Sequence, residues 1–107
     1  MKKSILQSDT ERCFICRDYA RGDPLDRHHV FGGALRKKSE KYGLVVYLHH
    51  KSCHIFGKNS VHRNSLIDRA IKEYAQKRAM KRYKWTEQDF RNEFYKSYLR
   101  KEDESDT

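Results

Sequence analysis

The chain has 107 residues, of which 24 are Lys or Arg and 15 are Asp or Glu, so its formal net charge is +9; only 36% of the residues are hydrophobic. This length and apolar content predict one small domain whose core is modest, and we expect a bound metal to add to its stability. The sequence contains neither a run of about 20 apolar residues nor an apolar signal core after Met1, so we expect a protein of the cell interior rather than of a membrane.

The charge and the cysteines narrow the function classes further. A strongly basic small domain is expected to bind polyanions, nucleic acid first, although charge alone fits a merely basic surface equally well. Three cysteines cannot all pair within one chain, and a Cys-x-x-Cys in a reducing compartment is more often a metal clip or a redox pair than a structural disulfide.

The first half of the chain predicts a hairpin. Residues 1–12 show no periodicity, and we expect them to be frayed, as we do the acidic tail at 101–107. Short strands are predicted at 28–31 and 44–48, where β-branched and aromatic residues cluster. The segment 32–43 between them carries four basic residues and is expected to be a long functional loop.

The second half predicts two helices. Ser65 and Asp68 resemble a capping box at the start of the first helix, whose apolar face would be formed by Leu66, Ile67, Ala70, Ile71, Tyr74 and Ala75. Thr86 is the predicted N-cap of a second helix at about 86–100. Its aromatic residues Phe90, Phe94 and Tyr98 recur every four residues, which favours core packing against the first helix over base stacking.

The cysteines and histidines are arranged as metal ligands. Cys13-x-x-Cys16 supplies two thiolates from one turn, and His50-x-x-Cys53 repeats this spacing with one nitrogen and one sulfur, which predicts a structural zinc site. His49 competes with His50 for the fourth position, because a spacing that is one residue wider can also be spanned. The alternative for Cys13 and Cys16 is a redox dithiol.

The remaining histidines include the adjacent pair His28 and His29. Because successive side chains of a strand point to opposite faces, both can serve one site only where the strand ends or bends. The neighbouring Gly32 and Gly33 make such a bend plausible.

Four segments together resemble a known family. They are Cys13-Phe14-Ile15-Cys16, Asp26-Arg27-His28-His29-Val30-Phe31-Gly32-Gly33, Gly43-Leu44-Val45-Val46-Tyr47-Leu48, and Cys53-His54 with Val61-His62. In order and spacing they resemble the HNH endonuclease family, and small phage or prophage members in particular. The resemblance implies an α+β fold with a ββα-metal hairpin-plus-helix core and a zinc knuckle at about 13–64, which the helical extension at about 65–100 and the acidic tail at 101–107 would follow within a single domain.

The resemblance also implies an activity. A member of this family hydrolyses DNA phosphodiester bonds with a divalent cation, nicking or cutting the duplex and leaving a 5′ phosphate and a 3′ hydroxyl. By this resemblance His29 is the general base, and His28, His54 and His62 are the ligands of the catalytic cation. Imidazole ligands favour Mn²⁺, Ni²⁺, Co²⁺ or Zn²⁺, while Mg²⁺ would bind largely through waters.

The expected partners follow from the same reasoning. DNA, either structured or nicked, is the expected substrate, and phage packaging or recombination proteins in the cytoplasm of a bacterial host are the partners that the resemblance suggests. The oligomeric state stays open. The basic residues of the long loop and of the last motif are candidates for sequence-independent phosphate contacts: Arg36, Lys37, Lys38, Lys58 and Arg63.

The chain departs from the family pattern at two places. Gly43 stands where the family has its middle Asn, so a backbone carbonyl or Ser39 would have to orient His29 instead. Seven residues separate His54 from His62, which in one straight helix would place them roughly 12 Å apart, so we expect the chain to break near Gly57 and return.

These departures keep two other hypotheses open. One is a zinc-stapled DNA-binding module that has lost catalysis, which the missing Asn favours. The other is a redox or regulatory protein that uses Cys13 and Cys16.

Overall fold

The computed structural model of the protein describes residues 2–100. Its elements are strand β1 (Leu25–His29), a 3-10 turn (Gly33–Leu35), helix α1 (Arg36–Tyr42), strand β2 (Val45–His49), a π-helical turn (His50–Ile55), helix α2 (Ser65–Tyr83) and helix α3 (Glu87–Phe94). This is a small α+β fold, as the sequence predicts. The acidic tail at 101–107 lies outside the described residues, and none of the described helices combines the length and apolar character needed to cross a membrane.

The two strands form the expected antiparallel hairpin, in which His28 lies opposite Val46 and His29 opposite Val45. β1 begins three residues earlier than predicted and ends at His29 rather than at residue 31. The reason is that Val30 and Phe31 turn into the core, where both are buried. β2 is shifted by one residue from its predicted range.

The connection between the strands is helical, so the prediction of a long loop at 32–43 is wrong. Ser39 is fully buried, and its hydroxyl accepts a hydrogen bond from the backbone N–H of Phe31 (3.0 Å) and donates one to the Phe31 carbonyl (2.7 Å). Because the buried residue of α1 is a serine, hydrophobic periodicity gave no sign of this helix.

Gly43 ends α1 in the left-handed region, with φ +73°. A Cβ atom at this position would lie 2.6 Å from the carbonyl oxygen of Lys3, which belongs to the N-terminal segment running alongside. The backbone conformation and this close approach both require glycine, which gives a physical reason why no asparagine stands here.

Residues 2–12 are ordered, which contradicts the expectation that the segment 1–12 is frayed; Met1 lies outside the described residues. Ile5 donates its backbone N–H to the carbonyl of Gly43 (2.9 Å), and the side chain of Gln7 accepts from the backbone N–H of Tyr47 (2.8 Å). Leu6 is part of the core. The segment therefore covers the edge of β2 that β1 leaves unpaired.

Helix α2 begins at Ser65, but its N-cap is Asn64, not Ser65. The Asn64 side chain accepts from the backbone N–H groups of Leu66 (3.1 Å) and Ile67 (3.2 Å). Of the predicted apolar face, Ile71 and Ala75 are buried whereas Leu66 is 79% exposed. The buried side of the helix continues instead to Ala79.

Helix α3 has the predicted N-cap, because Thr86 and Asp89 form a reciprocal capping box. The helix ends at Phe94, six residues before the predicted end, since Tyr95 adopts a left-handed conformation with φ +71°. The aromatic residues nevertheless belong to the core, as predicted. The centroid of the Phe31 ring lies 4.8 Å from that of Phe94, 5.6 Å from that of Phe90 and 5.2 Å from that of Tyr98. This aromatic core holds the C-terminal helices against the segment that follows β1.

Candidate metal centres and the adjoining cleft

Four side chains converge where β2 ends and could hold a metal ion such as zinc. They are Cys13, Cys16, His49 and Cys53, whose ligand atoms all lie within 4.8 Å of one another. The His49 Nδ1 atom is 3.2 Å from the Cys16 sulfur and 4.0 Å from the Cys53 sulfur. A thiolate and an imidazole nitrogen that share a tetrahedral zinc ion lie about 3.6 Å apart, judged from the usual bond lengths, so the two distances bracket the expected one.

The fourth member of this cluster is His49, not the predicted His50. The His49 Nε2 atom lies 2.7 Å from the Tyr19 carbonyl, which can only accept, so this nitrogen carries the proton and Nδ1 presents its lone pair to the sulfurs. His50 points elsewhere, because its Nδ1 lies 2.6 Å from the Asp26 carboxylate. Spacing alone could not separate two adjacent histidines.

The cysteine turn itself is tight. Arg17 has a left-handed backbone, with φ +68°, and donates its N–H to the carbonyl of Cys13 (2.9 Å). Burial raises the pKa of the Cys13 thiol, but backbone N–H groups, first that of Cys16, outweigh it and lower the pKa to about 7. Burial raises the pKa of Cys53 to about 12, so a cation is needed to hold Cys53 as a thiolate. The three cysteines are free thiols, and their convergence with His49 favours a metal site over a dithiol pair.

A second cluster contains the three predicted ligands of the catalytic cation. The ligand atoms of His28, His54 and His62 lie within 4.8 Å of one another. The Nε2 atoms of His54 and His62 are 3.2 Å apart, which is close to the separation of about 3.3 Å for two nitrogens on one tetrahedral ion.

The π-helical turn explains how residues so far apart in sequence meet. After this turn the chain reverses: Val61 donates its N–H to the carbonyl of Cys53 (3.1 Å), and His62 donates to that of His54 (3.2 Å). The expected break and return of the chain near Gly57 is therefore confirmed, and it brings His62 next to His54.

His28 is suited to be a ligand. Burial first, and then the nearby His54, His62 and His29, lowers the pKa of His28 to about 3, so the ring is neutral at physiological pH. Its Nε2 atom is buried and has no hydrogen-bond partner among residues 2–100. A buried nitrogen lone pair without a partner is costly, and a cation bound there would satisfy it.

Asp26 supports this cluster and was missed from the sequence. Its carboxylate lies 2.8 Å from Nδ1 of His54 and 2.6 Å from Nδ1 of His50. Burial raises the pKa of Asp26, but the hydrogen bonds from His54 and then His50 outweigh it and lower the pKa below its usual value. An ionised carboxylate can only accept, so His54 carries its proton on Nδ1 and keeps Nε2 free. The signal was available, because Asp26 precedes His28 by two residues on the same strand face.

His29 lies on the other face of β1, with Arg27. Its Nε2 atom is 2.9 Å from the Glu40 carboxylate, and its side chain is 12% exposed. Glu40 therefore occupies the position for which Ser39 or a backbone carbonyl was expected, since Ser39 is engaged with Phe31. Glu40 was missed because it lies on the unpredicted helix α1.

Two adjoining clefts, of about 580 and 240 Å³, border the histidines, and both are lined by His28, His29 and His62. Arg63 lines the larger cleft and Arg36 the smaller one.

The remaining basic candidates for DNA contact lie elsewhere. The ammonium group of Lys38 donates to the carbonyl of Glu93 (2.7 Å), while Lys37 and Lys58 are exposed. Contact of these side chains with DNA stays a prediction.

The arrangement was compared with known proteins by family model, by curated sequence and by solved structure, and no significant match was found in any of the three. The function of the protein is therefore inferred from the chemistry of its side chains.

Proposed function

We propose that the protein is a metal-dependent endonuclease of the HNH type that hydrolyses DNA phosphodiester bonds. The observation that carries this proposal is the convergence of three imidazoles, His28, His54 and His62, beside His29 at the border of an open cleft. A cation bound by three protein ligands keeps open positions, which hydrolytic metal sites require.

Each histidine has a distinct task in this proposal. His28, His54 and His62 hold the cation, which when bound stabilises the charge on the phosphoryl oxygens and on the leaving 3′ oxygen. His29 takes a proton from water as the water oxygen bonds to phosphorus. The bond from phosphorus to the 3′ oxygen breaks, and this oxygen leaves with the electron pair of the bond and takes a proton from solvent water to become the 3′ hydroxyl.

The order of the elements supports the proposal of an HNH-type core. The hairpin β1–β2 and the π-helical turn would correspond to the ββα-metal core, and the cluster of Cys13, Cys16, His49 and Cys53 to its zinc knuckle. The Ser39 hydroxyl accepts from the N–H of Phe31 and donates to its carbonyl, which ties α1 to the segment that follows β1. Gly43, at the position of the family asparagine, has no side chain that could make such a contact.

Charge supports DNA as the substrate. The net charge is +9, and Arg36 and Arg63 border the clefts next to the histidines. Such contacts would be independent of sequence and would weaken as salt rises. The relation to phages, and packaging or recombination proteins as partners, remain predictions from the family resemblance.

Plasmid cleavage tests the proposal. The purified protein is incubated with supercoiled plasmid and Mg²⁺, Mn²⁺, Ni²⁺ or EDTA, beside His29→Ala, His28→Ala and, as a matched control, His50→Ala. We expect metal-dependent nicking or linearisation that both His28→Ala and His29→Ala abolish and that His50→Ala largely retains. Equal cleavage by His29→Ala and the wild type would refute the assignment of the base.

The second candidate function is a zinc-stapled DNA-binding module without catalysis, which Gly43 in place of the family asparagine favours. In the same experiment this module would retard the plasmid on a gel but leave it uncut with every metal. It would also bind DNA equally well after His29→Ala.

A further inference from the structure

We propose that Glu40 is the positioning residue of this site: it fixes the tautomer and the ring orientation of His29, so that Nδ1 is the nitrogen that receives the proton from water. The inference rests on the proposed function and assigns a role to a residue outside the metal ligands. It follows from the contacts of four side chains on one face of the hairpin.

His29 and Glu40 are in direct contact. The His29 Nε2 atom lies 2.9 Å from Oε1 of Glu40, and little of the imidazole is exposed to solvent. The hydrogen bonds from Arg27, and then that from His29, lower the pKa of Glu40 to about 2. An ionised carboxylate accepts hydrogen bonds and cannot donate, so Nε2 must carry the ring proton and Nδ1 must hold the lone pair.

The Glu40 carboxylate is held in its orientation by other donors. Arg27 donates from Nε to Oε1 (3.1 Å) and from Nη2 to Oε2 (2.6 Å), and the backbone N–H of Lys2 also donates to Oε2 (3.1 Å). The guanidinium is fixed in turn by its donation to the Tyr47 hydroxyl (2.7 Å). A two-point Arg–carboxylate contact has a set direction as well as strength.

The hydrogen-bond network of Arg27, His29 and Glu40 lies on the face of β1 opposite to the metal ligand His28. Side chains alternate along β1, so Arg27 and His29 share one face while His28 points to the histidine cluster on the other. His29 is the last residue of β1 and lines both clefts that contain His28 and His62. Glu40 thus acts from the side away from the metal ligands, where it does not compete for the cation.

The chemical consequence concerns the proton. When Nδ1 takes the proton of the attacking water, the imidazolium keeps its Nε2–H on Glu40, and the negative charge of Glu40 stabilises the new positive charge. Glu40 does not take the proton itself, because Arg27 keeps it ionised.

A structural role is the competing explanation, since Glu40 also joins α1 to β1 through Arg27. The variant Glu40→Gln keeps the shape but removes the charge, and its amide can present either a donor or an acceptor to His29. Glu93→Gln is the matched control: Glu93 accepts from the hydroxyl of Tyr42 on the same helix α1 (2.5 Å).

The first measurement is the ring ¹⁵N spectrum of the zinc-loaded protein, with His29 assigned by its loss in His29→Ala. We expect wild-type His29 and His29 in Glu93→Gln to be in the Nε2–H form, and Glu40→Gln to show a mixture of the two tautomers. An Nδ1–H form in the wild type, or an unchanged tautomer in Glu40→Gln, would overturn the proposal. This spectrum requires no cleavage, so it decides the role of Glu40 in orienting His29 even if the nuclease proposal fails.

The second measurement is single-turnover cleavage with Mn²⁺. We expect Glu40→Gln to lower the rate at saturating DNA by about 10- to 100-fold, part of the usual contribution of a general base, with the half-saturating DNA concentration little changed. Glu93→Gln is expected to cleave at the wild-type rate. An equal loss in Glu40→Gln and Glu93→Gln would show that Glu40 is merely structural, and an absence of cleavage in every protein would refute the proposed function itself.

Discussion

Single hydrogen bonds decide which nitrogen each histidine offers. His49 donates Nε2–H to a backbone carbonyl and has Nδ1 free for the cysteine cluster, whereas His54 donates Nδ1–H to Asp26 and has Nε2 free for the histidine cluster. The two rings therefore use opposite tautomers. Such partners fix both ring orientation and basicity, and they are as much part of a metal site as the ligands are.

The two adjacent histidines at the end of β2 are expected to differ in their effect on zinc. His49→Ala removes a ligand and should lower the zinc content of the purified protein below one ion per chain, with a fall in thermal stability. His50→Ala removes only a partner of Asp26 and should keep the zinc. Elemental analysis of both proteins checks this, and loss of zinc in His50→Ala alone would contradict the assignment.

Asp26→Asn is expected to weaken the histidine cluster without dismantling it. The neutral amide no longer offers His54 a negatively charged hydrogen-bond acceptor. The affinity for Mn²⁺ or Co²⁺ should therefore fall by about 10- to 100-fold, the usual effect of losing such a partner. Calorimetric titration measures this. Asp68→Asn is the control, because Asp68 lines the larger cleft together with His28 and His62 but pairs with Lys72; a similar loss in this variant would point to a general electrostatic effect.

At the scale of secondary-structure elements, the sequence predicts those elements that are marked by apolar periodicity or by an N-cap residue. The hairpin, α2 and the Thr86 cap could be predicted in this way, and so could the aromatic core behind α3. Helix α1 could not, because its buried residue is Ser39 and its stabilising contacts are polar.

For the two metal clusters, the sequence predicted that the ligands are cysteines and histidines, but it identified only part of the residues correctly. The grouping of His28, His54 and His62 was predicted through the family resemblance. The choice of His49 over His50 depends on where β2 ends, and Glu40 depends on α1, neither of which spacing determines. The π-helical turn likewise left no sequence signal beyond Gly57 and its polar neighbours.

The start of α2 offers a direct test of one corrected prediction. Asn64→Ala removes the acceptor for two backbone N–H groups and should destabilise the protein by about 1 kcal/mol. Ser65→Ala changes the exposed first helical residue and should be nearly neutral. Urea unfolding of both variants measures the difference, and a larger effect at Ser65 would restore the original capping prediction.

At the scale of the whole molecule, the two clusters are joined through one peptide bond. Cys53 belongs to the cysteine cluster, and the next residue, His54, belongs to the histidine cluster. The cysteine cluster also connects the N-terminal turn at Cys13 and Cys16 to the end of β2. A zinc ion there would hold the π-helical turn in place, and with it one ligand of the second site.

Zinc removal is therefore expected to unfold the protein rather than only to inactivate it. A structural zinc ion contributes an apparent 10–16 kcal/mol or so, comparable to the whole stability of about 5–15 kcal/mol of a typical domain. Circular dichroism after exhaustive chelation should show loss of helix and of the cooperative thermal transition. His62→Ala, which disables only the histidine cluster, should be stable until it is chelated and then unfold like the wild type. A metal-free protein, verified by elemental analysis, that kept the original transition would show that the apolar core with Phe31, Phe90 and Phe94 suffices without the ion.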